Sequence, residues 1–146
     1  MMKLQTILAT KGTKVFTIRP EQQVKEAINM LVEHNIGALV VVDEDSRPIG
    51  IISERDVIHV AAHNDKVLAQ MIGEVMTKKL ITCTAHDDIH AVAQTMTDRR
   101  IRHLPIVEDG KLVGILSIGD VVKAQLQEYQ GTIHNLQTQA QADPDK

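Results

Sequence analysis

The chain has 146 residues, 43% of them hydrophobic and 24% charged, a composition typical of one compact globular domain or two small ones. A net charge of -3 and a near absence of aromatic residues, one Phe and one Tyr with no Trp, argue against a nucleic-acid-binding protein. The single cysteine, Cys83, excludes a disulfide framework and a cysteine zinc cluster and fits a reducing setting.

Residues 1–14 are predicted to form an N-terminal helix and a lead-in to the first repeat. The segment opens Met1-Met2-Lys3-Leu4 and has no long apolar stretch after its charge. We therefore expect neither a secretory signal peptide nor a membrane span, and we expect a cytoplasmic protein with no membrane partner.

After this segment the chain repeats itself. A short β-rich run at 15–18 precedes apolar residues at helical spacing and then an apolar run at 36–42. The same order returns after 80, with each apolar position displaced by 65 residues. The matching pairs include Val24 and Ile89, Leu31 and Met96, and Ile36 and Ile101.

Each repeat predicts the element order β-α-β-β-α. Polar turns at 43–48 and 108–111 reverse the chain between two strands, and a second helix opens at Ser53 or Ser117. One copy cannot cover the apolar face of its small sheet. We therefore expect an α/β (α+β) fold with two repeats packed face to face around a pseudo-twofold axis. Their predicted bounds are 15–66 and 67–128.

The motif Gly-x-x-Ser-x-x-Asp ends the second strand of both repeats, at Gly50 to Asp56 and at Gly114 to Asp120. Ser three residues before an acid at a helix start is typical of a capping box. The same helix N-terminus also suits an anion, because free N–H groups and the Ser hydroxyl can donate to phosphate. An ionised Asp can accept from both hydroxyls of a ribose. Both interpretations stay open for either motif.

The tandem repeat and this motif resemble the CBS domain, named after cystathionine β-synthase. The runs Ile36–Val41 and Arg100–Ile106 are also similar to the family's central strand, and the resemblance covers about residues 5–125. It implies a non-catalytic regulatory pair of domains that binds adenine nucleotides in clefts between the repeats. The implied ligands are AMP, ADP and ATP, with NAD(H) a further candidate, and the protein target is unknown.

The resemblance also assigns residues to the two clefts. Asp56 and Asp120 would bind ribose, and phosphate would be bound by Ser53, Arg55, Arg102, His103 and Ser117. One cleft would combine Ser117 and Asp120 with residues 14–16 and 36–38, and the other would combine Ser53 and Asp56 with 79–81 and 101–103. The implied adenine-binding residues are Lys14, Val15, Phe16, Ile36, Gly37, Ala38, Ile51, Lys79, Leu80, Ile81, Ile101 and Ile115.

The two clefts are not equivalent in charge. Arg55 lies inside the first motif, where the second motif has Gly119. Arg102 in the second repeat aligns with Gly37 in the first. Arginine suits bidentate phosphate binding, so we expect the Asp56 cleft to prefer ATP or a dinucleotide. The Asp120 cleft would suit AMP. These arginines argue against S-adenosylmethionine, which offers them no phosphate.

Metal binding and catalysis are not expected. The pairs His59/His63 and His86/His90 have helical spacing but no evident third ligand. Cys83 lies in a predicted strand and is interpreted as a buried thiol. Phosphate-binding glycine loops and a nucleophile elbow are missing from the sequence, so an enzyme ranks below a binding module. A scaffold with vestigial clefts is the alternative function.

The C-terminal segment, 129–146, is predicted to extend the last helix and to end in a frayed polar tail. Apolar residues recur at spacings of four and three across the end of the second repeat, although Gly131 weakens an isolated helix. The pattern favours a homodimer contact over packing on the helix's own domain. The stripe consists of Val122, Leu126, Tyr129, Ile133 and Leu136.

Overall fold

The fold is known from a computed structural model that describes residues 2–12 and 14–142. The first repeat forms the predicted order of helices and strands, and the second repeat forms it without its first strand. A short 3-10 helix at Val67–Ala69 and a one-turn helix connect them. The elements are α1 (Leu4–Lys11), β1 (Thr17–Ile18), α2 (Val24–His34), β2 (Ala38–Val42), β3 (Pro48–Ser53), α3 (Glu54–Ala61), α4 (Ile72–Val75), α5 (Ile89–Arg99), β4 (His103–Glu108), β5 (Lys111–Ser117) and α6 (Ile118–Ala142).

The first repeat builds a three-stranded sheet in the order β1-β2-β3. The central strand, β2, pairs in parallel with β1 and antiparallel with β3, and all five of its side chains are buried. Helix α2 covers the sheet with Val24, Ala27 and Leu31, which its helical spacing places on one face. The apolar run at 36–42 is thus the centre of the first hydrophobic core.

The second repeat has a two-stranded sheet, β4-β5, because the predicted strand at 80–83 does not form. Only Cys83 pairs with the sheet, through hydrogen bonds to the Pro105 carbonyl at 3.0 Å and from the Val107 amide at 2.8 Å. Proline has no N–H to continue this parallel ladder toward Ile81. The prediction of a β-segment at Leu80–Cys83 was therefore wrong beyond one residue.

The helix that precedes each repeat, α1 or α4, packs on the core of the other repeat. Helix α1 precedes the first repeat, yet Leu4 is fully buried in the core that contains Ile89. Helix α4 precedes the second repeat, yet Ile72 is fully buried in the core that contains Val24. Burying such a side chain contributes about 2 kcal/mol. This exchange ties the two repeats together around the pseudo-twofold axis.

Backbone hydrogen bonds also join each of these helices to the other repeat. The Leu4 amide donates to the Asp87 carbonyl at 3.1 Å, and the Ile72 amide donates to the Gln22 carbonyl at 2.8 Å. The predicted boundary between 66 and 67 thus falls before two segments, the 3-10 helix and α4, that contribute Val67 and Ile72 to the first core. The domain bounds themselves stay a prediction.

Helix α6 is 25 residues long and continues past Gly131. Its first turns are anchored by Val121 and Ala124, both buried in the second core. The predicted frayed tail at 137–146 is helical as far as Ala142, and its last four residues lie outside the described part of the chain. Within that described part of the chain, no helix has both the length and the apolar character needed to cross a membrane.

Candidate functional site

Both Gly-x-x-Ser-x-x-Asp motifs form capping boxes. Ser53 ends β3 and caps α3, accepting a hydrogen bond from the Asp56 amide at 3.2 Å, while Asp56 Oδ2 accepts from the Ser53 amide at 2.9 Å. Ser117 and Asp120 repeat this geometry at 3.1 and 2.9 Å. The capping interpretation therefore holds for both motifs. Because it uses Oδ2 of Asp56, Oδ1 of that carboxylate keeps only a 3.4 Å contact from Thr77 Oγ1.

A cavity of about 490 Å³ lies beside the first motif. The first repeat supplies the end of β3 and the start of α3, and the second repeat supplies the turn between α5 and β4. A volume in this range fits a small organic ligand. The lining residues are Gly37, Ile51, Ser53, Glu54, Arg55, Asp56, Ile58, Thr77, Arg100, Ile101, Arg102 and His103.

The cavity combines cationic and apolar groups. Arg55, Arg100 and Arg102 line it, against the carboxylates of Glu54 and Asp56. Ile51, Ile58 and Ile101 add apolar surface, and Ile58 is 68% exposed although it is a large hydrophobic residue. An apolar wall beside a cluster of guanidinium groups suits a ligand with a flat base at one end and phosphates at the other.

Arg100 holds an unusual backbone conformation. It caps the C-terminus of α5 with φ 54° and ψ 42°, in the left-handed region, as Asn35 caps α2 with φ 52° and ψ 51°. Asparagine tolerates this region well, whereas arginine pays a steric cost there. The structure thus keeps a strained arginine at a cavity-lining position where the first repeat has the residue expected for the turn.

His103 lies between the two clefts. Its ring is so close to Gly37 that a Cβ on that glycine would come within 3.2 Å of Nε2. Burial lowers the pKa of His103, Lys11 and Arg102 lower it further, and the carboxylates of Glu54 and Asp120 oppose them. The balance keeps the pKa below its ordinary value, so the ring is neutral at pH 7.

The second motif is contacted by a lysine from helix α1. The ammonium of Lys11, the last residue of α1, donates to Asp120 Oδ2 at 2.5 Å and to the Ile115 carbonyl at 2.7 Å. Burial alone would raise the pKa of Asp120, but the hydrogen bonds from Lys11 and Ser117 outweigh it, so the pKa is lowered. A depression of about 190 Å³ remains beside this contact, lined by α1 and α6.

The structure brings together about half of the predicted site residues. Ser53, Arg55, Asp56, Ile51, Ile101, Arg102 and His103 all line the first cavity. Gly37 lines it too, although the sequence assigned it to the Asp120 cleft. Ser117, Asp120 and Ile115 lie together at the second motif. The roles of these residues in ligand binding stay predictions.

The remaining predicted base-binding residues lie elsewhere. Phe16 stacks on His34 with ring centroids 3.8 Å apart, and Lys14 lies 5.1 Å from the Phe16 ring. Val15 is half-buried outside both the cavity and the depression, Ile36 packs on the first core, and Ala38 is buried. In the second repeat Lys79 is exposed, Leu80 is half-buried, and Ile81 packs on the second core. None of these residues lines the cavity beside Asp56 or the depression beside Asp120.

Sequence reasoning missed four residues that line the cavity: Glu54, Ile58, Thr77 and Arg100. Thr77 reaches it because its backbone pairs with Ile51, at 3.1 and 2.8 Å, which a sequence pattern does not show. Arg100 did carry a signal. It aligns with Asn35 at a helix end, where the left-handed C-cap conformation favours Gly or Asn over arginine.

Cys83 is buried, and neither histidine pair lines the cavity. Burial, with a smaller effect from Asp87, raises the pKa of Cys83 to about 12, so its thiol is unreactive. His59 and His63 are exposed. Among residues 2–12 and 14–142, no three His, Cys, Asp or Glu side chains are grouped as a metal site would require.

Comparison with known proteins identifies both repeats. The model of the CBS domain family matches residues 9–63 and 72–127. The CBS domain-containing protein CBSX3, mitochondrial, of Arabidopsis thaliana is 37% identical over 121 residues, which cover 80% of this chain and 59% of that protein. The chain thus spans somewhat over half the length of this relative.

Solved structures agree. The crystal structure of a CBS-domain containing protein from Agrobacterium tumefaciens is 38% identical and superposes with a TM-score of 0.82, covering 85% of this chain and 99% of its own. The CBS domain pair of protein MJ0100, solved with 5'-methylthioadenosine and S-adenosyl-L-methionine, is 29% identical with a TM-score of 0.78, covering 88% and 98%. This chain therefore belongs to the CBS domain family and contains two CBS domains.

Proposed function

We propose that the chain is a regulatory module that binds an adenosyl-containing small molecule in the cavity beside Asp56 and has no catalysis of its own. One observation carries the proposal: the cavity joins the Ser53–Asp56 capping box of one repeat to Arg100–His103 of the other. A ligand seated there contacts both repeats at once. The pair of CBS domains in protein MJ0100 binds adenosyl ligands, which supports this ligand class.

The favoured ligand carries phosphate. Three arginines line the cavity against two carboxylates, and the guanidinium group is suited to bidentate phosphate contacts. Asp56 Oδ1 is available to a ribose diol because the capping box engages only Oδ2. AMP, ADP and ATP therefore lead, with NAD(H) as a dinucleotide candidate. S-adenosylmethionine belongs in the test because the relative MJ0100 is solved with it.

Ligand binding would act on the angle between the repeats. The exchanged helices α1 and α4 already hold the two cores together, and the cavity spans the remaining gap. A ligand that contacts both walls favours the arrangement in which the walls are close, and a protein target would respond to that change.

The second candidate function, a dimeric scaffold, is favoured by the surface of α6. Five apolar side chains on this helix are 47% to 61% exposed and follow the a/d spacing at which a helix pairs with a copy of itself. We propose a homodimer through this stripe, which is compatible with either function. Tyr129→Lys should give a monomer by sedimentation, and the nearby exposed Gln130→Lys should leave the oligomer unchanged.

Calorimetric titration tests the proposed function. AMP, ATP, NAD and S-adenosylmethionine are titrated into the nucleotide-free protein and into Asp56→Asn, which keeps a capping oxygen but loses the charge. Losing a charge-assisted hydrogen bond should weaken binding about tenfold or more. Asp65→Asn, the same change at an exposed position outside the cavity, is the control. Failure of all four ligands to bind the folded protein would leave the scaffold function.

A further inference from the structure

The two clefts differ in which residue contacts the strand carbonyl and the aspartate of each motif. In the first cleft Thr77 contacts both groups: its amide donates to the Ile51 carbonyl at 2.8 Å, and its hydroxyl lies 3.4 Å from Asp56 Oδ1. In the second cleft the counterparts are Ile115 and Asp120. A single ammonium, Lys11 Nζ, donates to both of them.

Helix length explains the difference. Helix α4 has four residues, so the chain leaves it in time for Thr77 to pair with β3 as an extended segment. Helix α1 starts at the equivalent core residue, Leu4 in place of Ile72, but has eight residues and ends at Lys11. The extra turn places the Lys11 ammonium in the second cleft, at the position that corresponds to open space in the first cleft.

The same helix also packs on the strand beside the second motif, as Met76 packs on Gly50 beside the first. Leu8 packs on β5 so closely that a Cβ on Gly114 would come within 2.7 Å of its Cδ2. Lys11 and Asp120 are 34% and 23% exposed, so their contact is partly shielded from water. The depression of about 190 Å³ beside this contact lies between α1 and α6 and does not include Ser117 or Ile115.

We propose that Lys11 closes the second cleft to nucleotides, so that the chain binds one adenosyl ligand, in the Asp56 cavity. This inference rests on the proposed function. It replaces the AMP preference that the sequence suggested for the Asp120 cleft. Asp120 Oδ1 receives neither the capping nor the lysine hydrogen bond, but Lys11 Nζ bridges Asp120 Oδ2 and the Ile115 carbonyl. A nucleotide that approaches both of these groups therefore has to displace the ammonium.

The test measures AMP binding in proteins whose first cleft is weakened by Asp56→Asn. That variant should bind AMP at least about tenfold more weakly than the double variant Lys11→Ala/Asp56→Asn, because the double variant has no ammonium to displace. Adding Asp120→Asn should abolish the new site. Lys3→Ala/Asp56→Asn removes a lysine from the other end of the same helix and should behave like Asp56→Asn.

Two results would overturn the proposal. One is equal AMP binding by Asp56→Asn and the double variant. The other is a parent protein that binds one AMP while Lys11→Ala/Asp56→Asn, shown to be folded, binds none, because Lys11 would then not be what closes the cleft.

A second measurement needs no nucleotide and so separates this inference from the proposed function. Acetylation of Lys11 by acetic anhydride, followed by mass spectrometry, should be slower than that of exposed Lys66. Asp120→Asn should speed the reaction of Lys11 about threefold and leave Lys66 unchanged. Equal rates for the two lysines in the parent protein would refute the contact, even if the chain were found to bind no nucleotide at all.

Discussion

Replacing Arg100 by asparagine should stabilise the fold and weaken nucleotide binding at the same time. Arg100 holds a left-handed backbone conformation at φ 54° and ψ 42°, and its counterpart at the end of α2 is Asn35 at φ 52°. Relief of the steric cost of arginine in this region is worth about 1 kcal/mol. For a chain of this length that raises the melting temperature by about 3 °C.

Binding should change in the opposite direction. Arg100 lines the cavity and is exposed to a ligand there. The loss of one charge-assisted contact to phosphate is worth about 1.5 kcal/mol, which is about a tenfold loss of ATP affinity. Because AMP carries fewer phosphates than ATP, its affinity should fall less. Thermal melting monitored by circular dichroism measures the first effect, and calorimetric titration with ATP and AMP measures the second.

The matched control is Arg99→Asn. Arg99 is exposed at the last position of α5 and does not line the cavity. Its replacement removes the same charge from an ordinary helical position, so the fold should lose a few tenths of a kcal/mol. ATP affinity should hardly change. If Arg100→Asn weakened ATP binding no more than Arg99→Asn, or lowered the melting temperature, the argument from strain to function would be refuted.

Three further outcomes can be checked. Because burial raises the pKa of Cys83 to about 12 from an ordinary 9.0, the stability that the neutral thiol contributes is lost as pH rises from 9 to 12. Urea titrations should show this loss in the parent and a smaller one in Cys83→Ala. His103 has a lowered pKa, so its stability contribution is present above pH 6.5 and is lost as pH falls through the folded value. An arriving phosphate favours the imidazolium, so ATP binding near pH 6 should take up protons, seen as buffer-dependent heats that disappear in His103→Gln. Gly50→Ala would place a Cβ 2.5 Å from Met76 Sδ and should destabilise the protein by about 1–3 kcal/mol, whereas Gly131→Ala, with open space around it, should stabilise α6 by about 1 kcal/mol. Equal unfolding midpoints for these two glycine variants would contradict the packing described at Gly50.

The repeat architecture could be predicted because burial imposes a strict register. The displacement of 65 residues aligns Val24 with Ile89 and Leu31 with Met96, and all four side chains are buried. The strand at 80–83 could not be predicted from its apolar content alone. Its pairing depends on Pro105 in a strand more than 20 residues away, which lacks the N–H that the ladder needs.

The candidate site was harder to predict than the fold. The local part, the Ser53–Asp56 capping box, follows from four neighbouring residues. The contacts of Thr77 with the first motif and of Lys11 with the second depend on where α4 and α1 end. Both contacts join segments that are far apart in the chain, so the inequality of the two clefts is a tertiary property. The sequence signalled an inequality through Arg55 and Arg102, but it did not locate its main structural cause at Lys11.

Chemical-shift mapping tests the central claim, that one ligand contacts both repeats at the Asp56 cavity. ATP is titrated into the ¹⁵N-labelled protein and the backbone amide signals are followed. We predict that signals from 53–56 and from 100–103 move together with one dissociation constant, while those of Ser117 and Asp120 move little. Shifts confined to one repeat, or centred on Asp120, would contradict the account.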